Sequence, residues 1–273
     1  MTNNNVTETE QLSFCHMNIQ SLLAGVNTAL HIPSQESKLD DIYTKLVLEN
    51  NYHIIALTET WLNNSHSDNS IELENYNIFR RDRPIGRGGG VLVYINCNLP
   101  CIRRTDIEPV QLELLCLEIK FGNSTIIFCT CYRPPGQSGE DIDVFFDELQ
   151  QTIDSITRLQ PDGLILVGDF NDRCVLFNED HSNSELGNRL RDLIIANNLY
   201  QLIDKPTHFT HHSAYILDLI IVDCPGYVTE YGLLDQMCNL HHLPVYSKLS
   251  ILKIKQKLFI VKFGTIIMGT THH

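Results

Sequence analysis

The chain predicts an α/β fold of two packed mixed β-sheets with helices on their outer faces, four layers in all. Three observations carry that reading. Apolar strand-like runs alternate with segments of helical spacing, and the runs 112–120 and 124–131 flank Gly122-Asn123, a hairpin signal. Length and composition complete the case, because 273 residues at 43% hydrophobic can bury one large core. Residues 12–253 are read as a single domain, after a polar N-terminal tail (1–11) and before a C-terminal tail (254–273).

In chain order, Leu12 to Met17 alternates as a strand and delivers Asn18. Leu39, Ile42, Leu46 and Val47 give 37–50 near-helical spacing, and the apolar run Ile54 to Leu57 then ends in Thr58, Glu59, Thr60 and Trp61. Thr125 to Cys131 ends in Tyr132, Arg133, Pro134 and Pro135. A helix over 141–159 is marked by Val144, Phe145, Leu149, Ile153 and Ile156. It leads into Leu166-Val167-Gly168-Asp169-Phe170-Asn171, where period-two geometry sets Asp169 and Asn171 on one side and Gly168 admits close backbone. Leu186, Leu190, Leu193 and Ile194 mark a helix over 184–199, Ile216 to Val222 encloses Asp218, and 247–254 reads as a closing strand.

Each strand thus ends in a polar residue able to serve a metal or a phosphate. Each also has a plain structural reading: Glu59 as a turn cap, Tyr132 as a half-buried strand aromatic, Asp218 held by a backbone amide. Asp218 resists that reading most, because a carboxylate between Leu217 and Leu219 is costly to bury without a partner.

Taken together, strand-end Asn18, Glu59 and Tyr132, the Gly168-Asp169-Phe170-Asn171 turn, Asp218 and the late His242-Leu243-Pro244 resemble the endonuclease/exonuclease/phosphatase superfamily. Four stretches look most like the endonuclease domain of non-LTR retrotransposons: Asn18-Ile19-Gln20-Ser21-Leu22, Thr58-Glu59-Thr60-Trp61-Leu62, Arg87-Gly88-Gly89-Gly90-Val91 and Tyr132-Arg133-Pro134-Pro135. The resemblance implies a DNase I-like four-layer sandwich and a phosphodiesterase that depends on Mg²⁺, with Mn²⁺ as the alternative. The implied reaction is nicking of one DNA strand to leave a 3′ hydroxyl. Glu59 with Asn18 would hold the metal, Asp169 and Asn171 would position water and phosphate, and Tyr132 would contact the phosphate. His242 would act as base or electrostatic partner, oriented by Asp218, and Arg133, Arg87 and Arg83 would meet the DNA backbone. Other members of the superfamily act as abasic-site nucleases or as lipid and inositol phosphatases, so those substrates stand as alternatives.

The chain departs from the family at Leu240-His241-His242, where the pattern reads Ser-Asp-His. An imidazole in place of a carboxylate weakens cation binding, so an impaired remnant is a further alternative. The family also places a reverse transcriptase downstream, and the tail is read as the start of a truncated linker.

A net charge of −13 opposes nonspecific nucleic-acid affinity, yet Arg80, Arg81, Arg83 and Arg87 gather in one loop that is either a solvated face or a phosphate clamp. His208, His211 and His212 lack a matching ligand set and are assigned no metal. The nine cysteines show no Cys-x-x-Cys pair and are expected reduced, and the sequons at Asn5, Asn63 and Asn123 are expected unmodified. No apolar run reaches membrane-span length and the first residues do not read as a secretory leader, so an intracellular place, nucleus or cytoplasm, is expected. DNA is the expected partner; no membrane and no protein partner is inferred.

Overall fold

The structure is a computed structural model, and it describes residues 11–24, 37–137, 139–172, 184–238 and 240–250. Fourteen strands are assigned in chain order. The first seven are β1 (Gln11–Asn18), β2 (Ile54–Thr58), β3 (Tyr76–Arg81), β4 (Val91–Asn96), β5 (Cys101–Arg103), β6 (Glu113–Phe121) and β7 (Ser124–Tyr132). The others are β8 (Gly163–Asp169), β9 (Tyr200–Gln201), β10 (His208–Phe209), β11 (Ala214–Tyr215), β12 (Asp218–Val222), β13 (Val228–Leu233) and β14 (Val245–Ser250). Helices α1 (Lys38–Ile42), α2 (Glu140–Leu159) and α3 (Glu185–Ala196) cover them.

The strands form two six-stranded sheets, ordered β13-β14-β1-β2-β4-β3 and β5-β6-β7-β8-β12-β9, with β10-β11 as a small ribbon. Each sheet is antiparallel except for one parallel pair, β1 with β2 and β7 with β8. A parallel pair needs a crossover, and α1 and α2 lie in those two connections. The mixed two-sheet fold class expected from sequence is the one observed.

Side-chain alternation builds the layers. Leu12 and Phe14 of β1, Ile54 and Ala56 of β2, and Val91, Val93 and Ile95 of β4 face the second sheet and share its core. Their neighbours Cys15, Met17, Ile55, Leu57, Leu92 and Tyr94 face outward and pack with Ile42 and Leu46. Phe14 meets Phe128 of β7 edge-on, centroids 5.5 Å apart, in the seam between the sheets. Such a contact adds about 1 kcal/mol beyond the area it buries.

Local signals explain the helix ends. Ser37 and Asp40 form a reciprocal capping box on α1, and Ser184 accepts from the Gly187 amide at the start of α3. Glu140, Asp141 and Asp143 place negative charge at the N-terminus of α2. The expected helix over 37–50 is more irregular than its spacing implies: after α1 the chain winds as a π-helix from Tyr43 to Glu49, keeping buried Ile42 and Leu46 four residues apart. The closing strand begins two residues earlier than expected, at Val245, and 251–254 lie outside the described residues, as do most of both tails. Strands β3, β5, β9 and β13 lacked a readable pattern because they lie at sheet edges, where one flank is open; β13 is exposed at Thr229, Glu230 and Tyr231. Among the described residues no helix is long and apolar enough to cross a membrane. The described cysteines are all free.

Truncating Phe14 to alanine is expected to lower the unfolding free energy by about 3–5 kcal/mol, because the seam between two sheets has little freedom to collapse onto the void. Urea unfolding followed by circular dichroism measures it.

Candidate active site

The C-terminal ends of β1, β2, β7 and β8 meet at one rim of the sandwich, and β12, antiparallel to β8, begins there. The register fixes the neighbours: Asn18 lies beside Thr58, Tyr132 beside Asp169, and Asp169 opposite Asp218. On β1 the inward positions run Leu12, Phe14, His16 and Asn18, so the face that is apolar below turns polar at the rim.

Asp169 is fully buried. Its Oδ2 accepts from Asn18 Nδ2 at 2.7 Å and its Oδ1 from the Asn171 amide at 2.9 Å. Asp218, also fully buried, accepts at Oδ2 from Thr207 Oγ1 at 2.7 Å and lies 2.8 Å from His242 Nδ1. Its Oδ1 has no hydrogen-bond partner among the described residues and stands 3.8 Å from the Nδ1 of His16, which likewise has none among them. One ligand atom each from Asp169, Asp218 and His242 lies within 4.8 Å of the others, a spacing that could hold a metal ion.

The charges in this cluster are interdependent. Burial alone would lower the His242 imidazole, but the Asp218 carboxylate and its hydrogen bond, with Asp169 and Glu59 behind, lift it to about 9. Burial, and then the charge of Asp218, push Asp169 up to about 7 against His242, Asn18 and the Asn171 amide. Burial would raise Asp218 as well, yet His242 and its hydrogen bond outweigh this and hold it below the usual carboxylate range. His16 is pulled down to about 4 by burial, with Asp218 opposing and His242 assisting, and is neutral.

Glu59 is half-buried just beyond β2. Its Oε2 accepts from the Trp61 indole N–H and from the Gly89 amide, the latter at 2.9 Å, while Oε1 bonds no described residue. Glu59 and Trp61 both adopt left-handed backbone, φ +56° and +57°. Tyr132 is buried, with the Arg83 guanidinium 5.8 Å from its ring. Arg83 is itself paired with Glu113 at 2.6 Å.

The basic residues differ in what they offer. Arg133 is buried: Nε donates to the Phe170 carbonyl at 2.6 Å and Nη2 to the Asn171 carbonyl, so its guanidinium ties down the turn after β8. Arg80 pairs with Asp68 and Asp82, and Arg81 donates to the carbonyls of Leu114 and Val110. Of the four arginines in the loop cluster only Arg87 is exposed, stacked over Trp61 at 5.0 Å.

Strand alternation does not place Asn171 beside Asp169. β8 ends at Asp169, Asn171 turns to φ +48°, and its side-chain Nδ2 donates to the Arg133 carbonyl at 2.9 Å. Gly168 does mark a close approach, but to the neighbouring strand: a Cβ there would sit 1.8 Å from the Cys131 carbonyl oxygen. His241 is exposed, and its carbonyl accepts from the Phe209 amide.

Sequence reasoning missed His16, Thr207 and the proximity of His208, whose ring lies 4.5 Å from that of His242. His16 was findable, two residues before Asn18 on one strand face. Thr207 and His208 reach the site at the start of the β10-β11 ribbon, whose two-residue strands are too short to show a period.

A divalent cation is implied by the family resemblance, and the residues fit one. Glu59 Oε1 bonds no described residue and is oriented by two donors on its sister oxygen, and the side-chain oxygen of Asn18 adds a ligand suited to a hard cation. The Asp169-Asp218-His242 group fits less well, because its imidazole is charged at neutral pH and already neutralises Asp218.

Residues 126–246 match the family described as endonuclease-reverse transcriptase. No curated protein sequence matches the chain. Among solved structures, the endonuclease domain of TRAS1, a telomere-specific non-LTR retrotransposon, aligns at 12% identity and TM-score 0.66, covering 88% of this chain and 98% of that one. AP endonuclease LMAP from Leishmania major aligns at 12% and 0.69, covering 92% and 91%. The 3′ phosphatase NExo from Neisseria, bound to a product DNA hairpin, aligns at 14% and 0.61, covering 87% and 99%. The two-sheet fold is DNase I-like, the fold shared with these three structures. The fold and the matched segment 126–246 together resemble the endonuclease-reverse transcriptase type.

At the rim, Asp169 and His242 make stability fall with rising pH. The folded values of Asp169 (about 7 against 3.8) and His242 (about 9 against 6.5) both exceed the unfolded ones, so the native state binds more protons than the unfolded chain. The Asp169 contribution is lost from about pH 4 to 7, and that of His242 is full below 6.5 and lost as pH rises through about 9. Between about pH 4 and 6.5 His16, pulled down to about 4, opposes the Asp169 contribution. Urea midpoints in EDTA should therefore decline chiefly above pH 6.5 as His242 deprotonates, and His242→Gln should abolish that decline.

Proposed function

We propose that this protein is a metal-dependent phosphodiesterase, a retrotransposon-type DNA endonuclease that nicks one strand and leaves a 3′ hydroxyl. The observation that carries the reading is the His242-Asp218 pair, 2.8 Å apart and buried, beside Asp169 on a rim shared with the open carboxylate of Glu59. Phosphodiester cleavage needs an aligned water, neutralisation of phosphoryl charge and help for the leaving oxygen. Glu59 and Asn18 hold the cation, with Mg²⁺ the natural choice for oxygen donors and Mn²⁺ able to substitute. When bound, it supplies charge neutralisation at the phosphoryl oxygens.

The protein's own groups do the remainder. A raised pKa keeps His242 cationic at neutral pH, so between base and electrostatic partner the second role fits, with a proton available to the departing oxygen. Asp218 fixes the ring through Nδ1 and is itself fixed by Thr207. Asp169, titrating near neutrality, accepts a proton from the attacking water, and Asn171 shapes the turn that presents it. Tyr132 and Arg83 back the phosphate position, Arg133 holds the loop behind it, and exposed Arg87 meets the DNA backbone.

A second reading, an impaired remnant, is favoured by exposed His241, which puts an imidazole where the resemblance expects a carboxylate. Nicking of supercoiled plasmid in Mg²⁺ against EDTA separates the two. An active enzyme should nick only with metal, and Glu59→Ala and His242→Ala should each lose about 100-fold or more. A folded protein that fails to nick, and gains nicking on His241→Asp, is the remnant. Release of 3′ phosphate from DNA without nicking would move the substrate to the phosphatase branch.

A further inference from the structure

Trp61 is the only tryptophan in the chain, and its indole N–H is spent on Glu59 Oε2. The Gly89 amide donates to the same oxygen at 2.9 Å. The two donors come from different segments, and the chain ties those segments to each other: the Trp61 amide donates to the Gly89 carbonyl at 2.9 Å and the Thr60 amide to the Gly90 carbonyl at 3.3 Å. With Oε2 doubly held, Oε1 is the oxygen left to a ligand.

The backbone is strained to achieve this. Glu59 and Trp61 are both left-handed without being glycine, a conformation that persists only where surrounding contacts enforce it. Gly89, at φ +69°, closes the clamp, and a Cβ there would meet the Arg83 guanidinium at 2.4 Å. The outer face of the indole is covered by the Arg87 guanidinium at 5.0 Å, which fixes the ring plane.

We propose that Trp61 is a positioning residue that, with the Gly89 amide, locks the Glu59 carboxylate so that Oε1 alone is presented to the divalent cation. A carboxylate free to rotate about its last torsion offers either oxygen and loses that freedom on binding. Two donors on Oε2 remove the rotation beforehand, which is how groups behind a metal ligand raise affinity. The inference rests on Glu59 being a metal ligand, and the test keeps the two claims apart.

Mn²⁺ binding to the full chain, read as free Mn²⁺ by electron paramagnetic resonance without DNA, is the measurement. Glu59→Gln should abolish the site, and Trp61→Phe, which keeps a ring under Arg87 but no donor, should weaken it by about tenfold to a hundredfold. Thermal unfolding in EDTA reports whether the variants keep the fold. Gly89→Ala attacks the clamp from its other side and should weaken Mn²⁺ in the same sense. In the wild type, emission from Trp61 should change with Mn²⁺ at the midpoint the resonance signal gives. Trp61→Phe binding Mn²⁺ within about twofold of wild type, with Glu59→Gln inactive in binding, overturns the positioning role and leaves the Glu59 site standing. Glu59→Gln binding as wild type removes the Glu59 site and this inference with it. Should Trp61→Phe not fold, wild-type emission unmoved by saturating Mn²⁺ overturns the proposal instead.

Discussion

Two carboxylates set opposite each other on β8 and β12, both out of solvent, are the constraint that organises the rim. Like charges facing across an antiparallel ladder repel, and burial adds to the cost. The fold meets it with unlike means on the two sides. Asp218 takes a cationic partner, His242, and a hydroxyl, Thr207. Asp169 takes only neutral donors, Asn18 and the Asn171 amide, and so holds its proton to about 7. One acid ionised and one near neutrality is a division of protons that follows from the partners and not from the residue type.

The same strand registers that make the core make the site. On β1 one face carries Leu12 and Phe14 into the seam and then His16 and Asn18 onto the rim, so sliding the strand by one residue would bury Cys15 and Met17 in the seam and turn both polar groups away. Gly168 belongs to this geometry. Only a residue without a Cβ lets β8 lie so near the Cys131 carbonyl of β7, and that approach sets Tyr132 beside Asp169.

Much of the fold and part of the site were legible in the sequence because they are local. Asn18, Glu59, Tyr132 and Asp169 stand where an apolar run stops, and Asp218 stands out as a charge inside one. What was not legible depends on pairings between distant segments. Nothing near Arg133 in sequence shows that it bonds the carbonyls of Phe170 and Asn171, and nothing near Arg83 shows Glu113. The arginine loop read as a cluster of free cations because its counter-charges lie elsewhere in the chain or in backbone carbonyls. The Asn171 side chain was misplaced for a related reason: period-two geometry holds only while the strand continues, and the strand ends at Asp169.

That internal pairing bears on how an acidic protein could hold a polyanion. With a net charge of −13 and Arg80, Arg81, Arg83 and Arg133 already committed, the described residues offer a phosphate backbone little fixed positive charge at this rim beyond Arg87. The remaining positive charge is conditional: the imidazolium of His242, which Asp218 stabilises, and the cation that the open oxygen of Glu59 would admit on the proposed reading. Counterion release by lysines and arginines gives affinity anywhere along a nucleic acid. On the proposed reading, attraction here is instead concentrated at the point of cleavage, so binding and chemistry draw on the same two charges. An exposed imidazole at His241 then matters more than on a basic protein, since any weakening of the cation site removes a large share of the positive field the substrate meets.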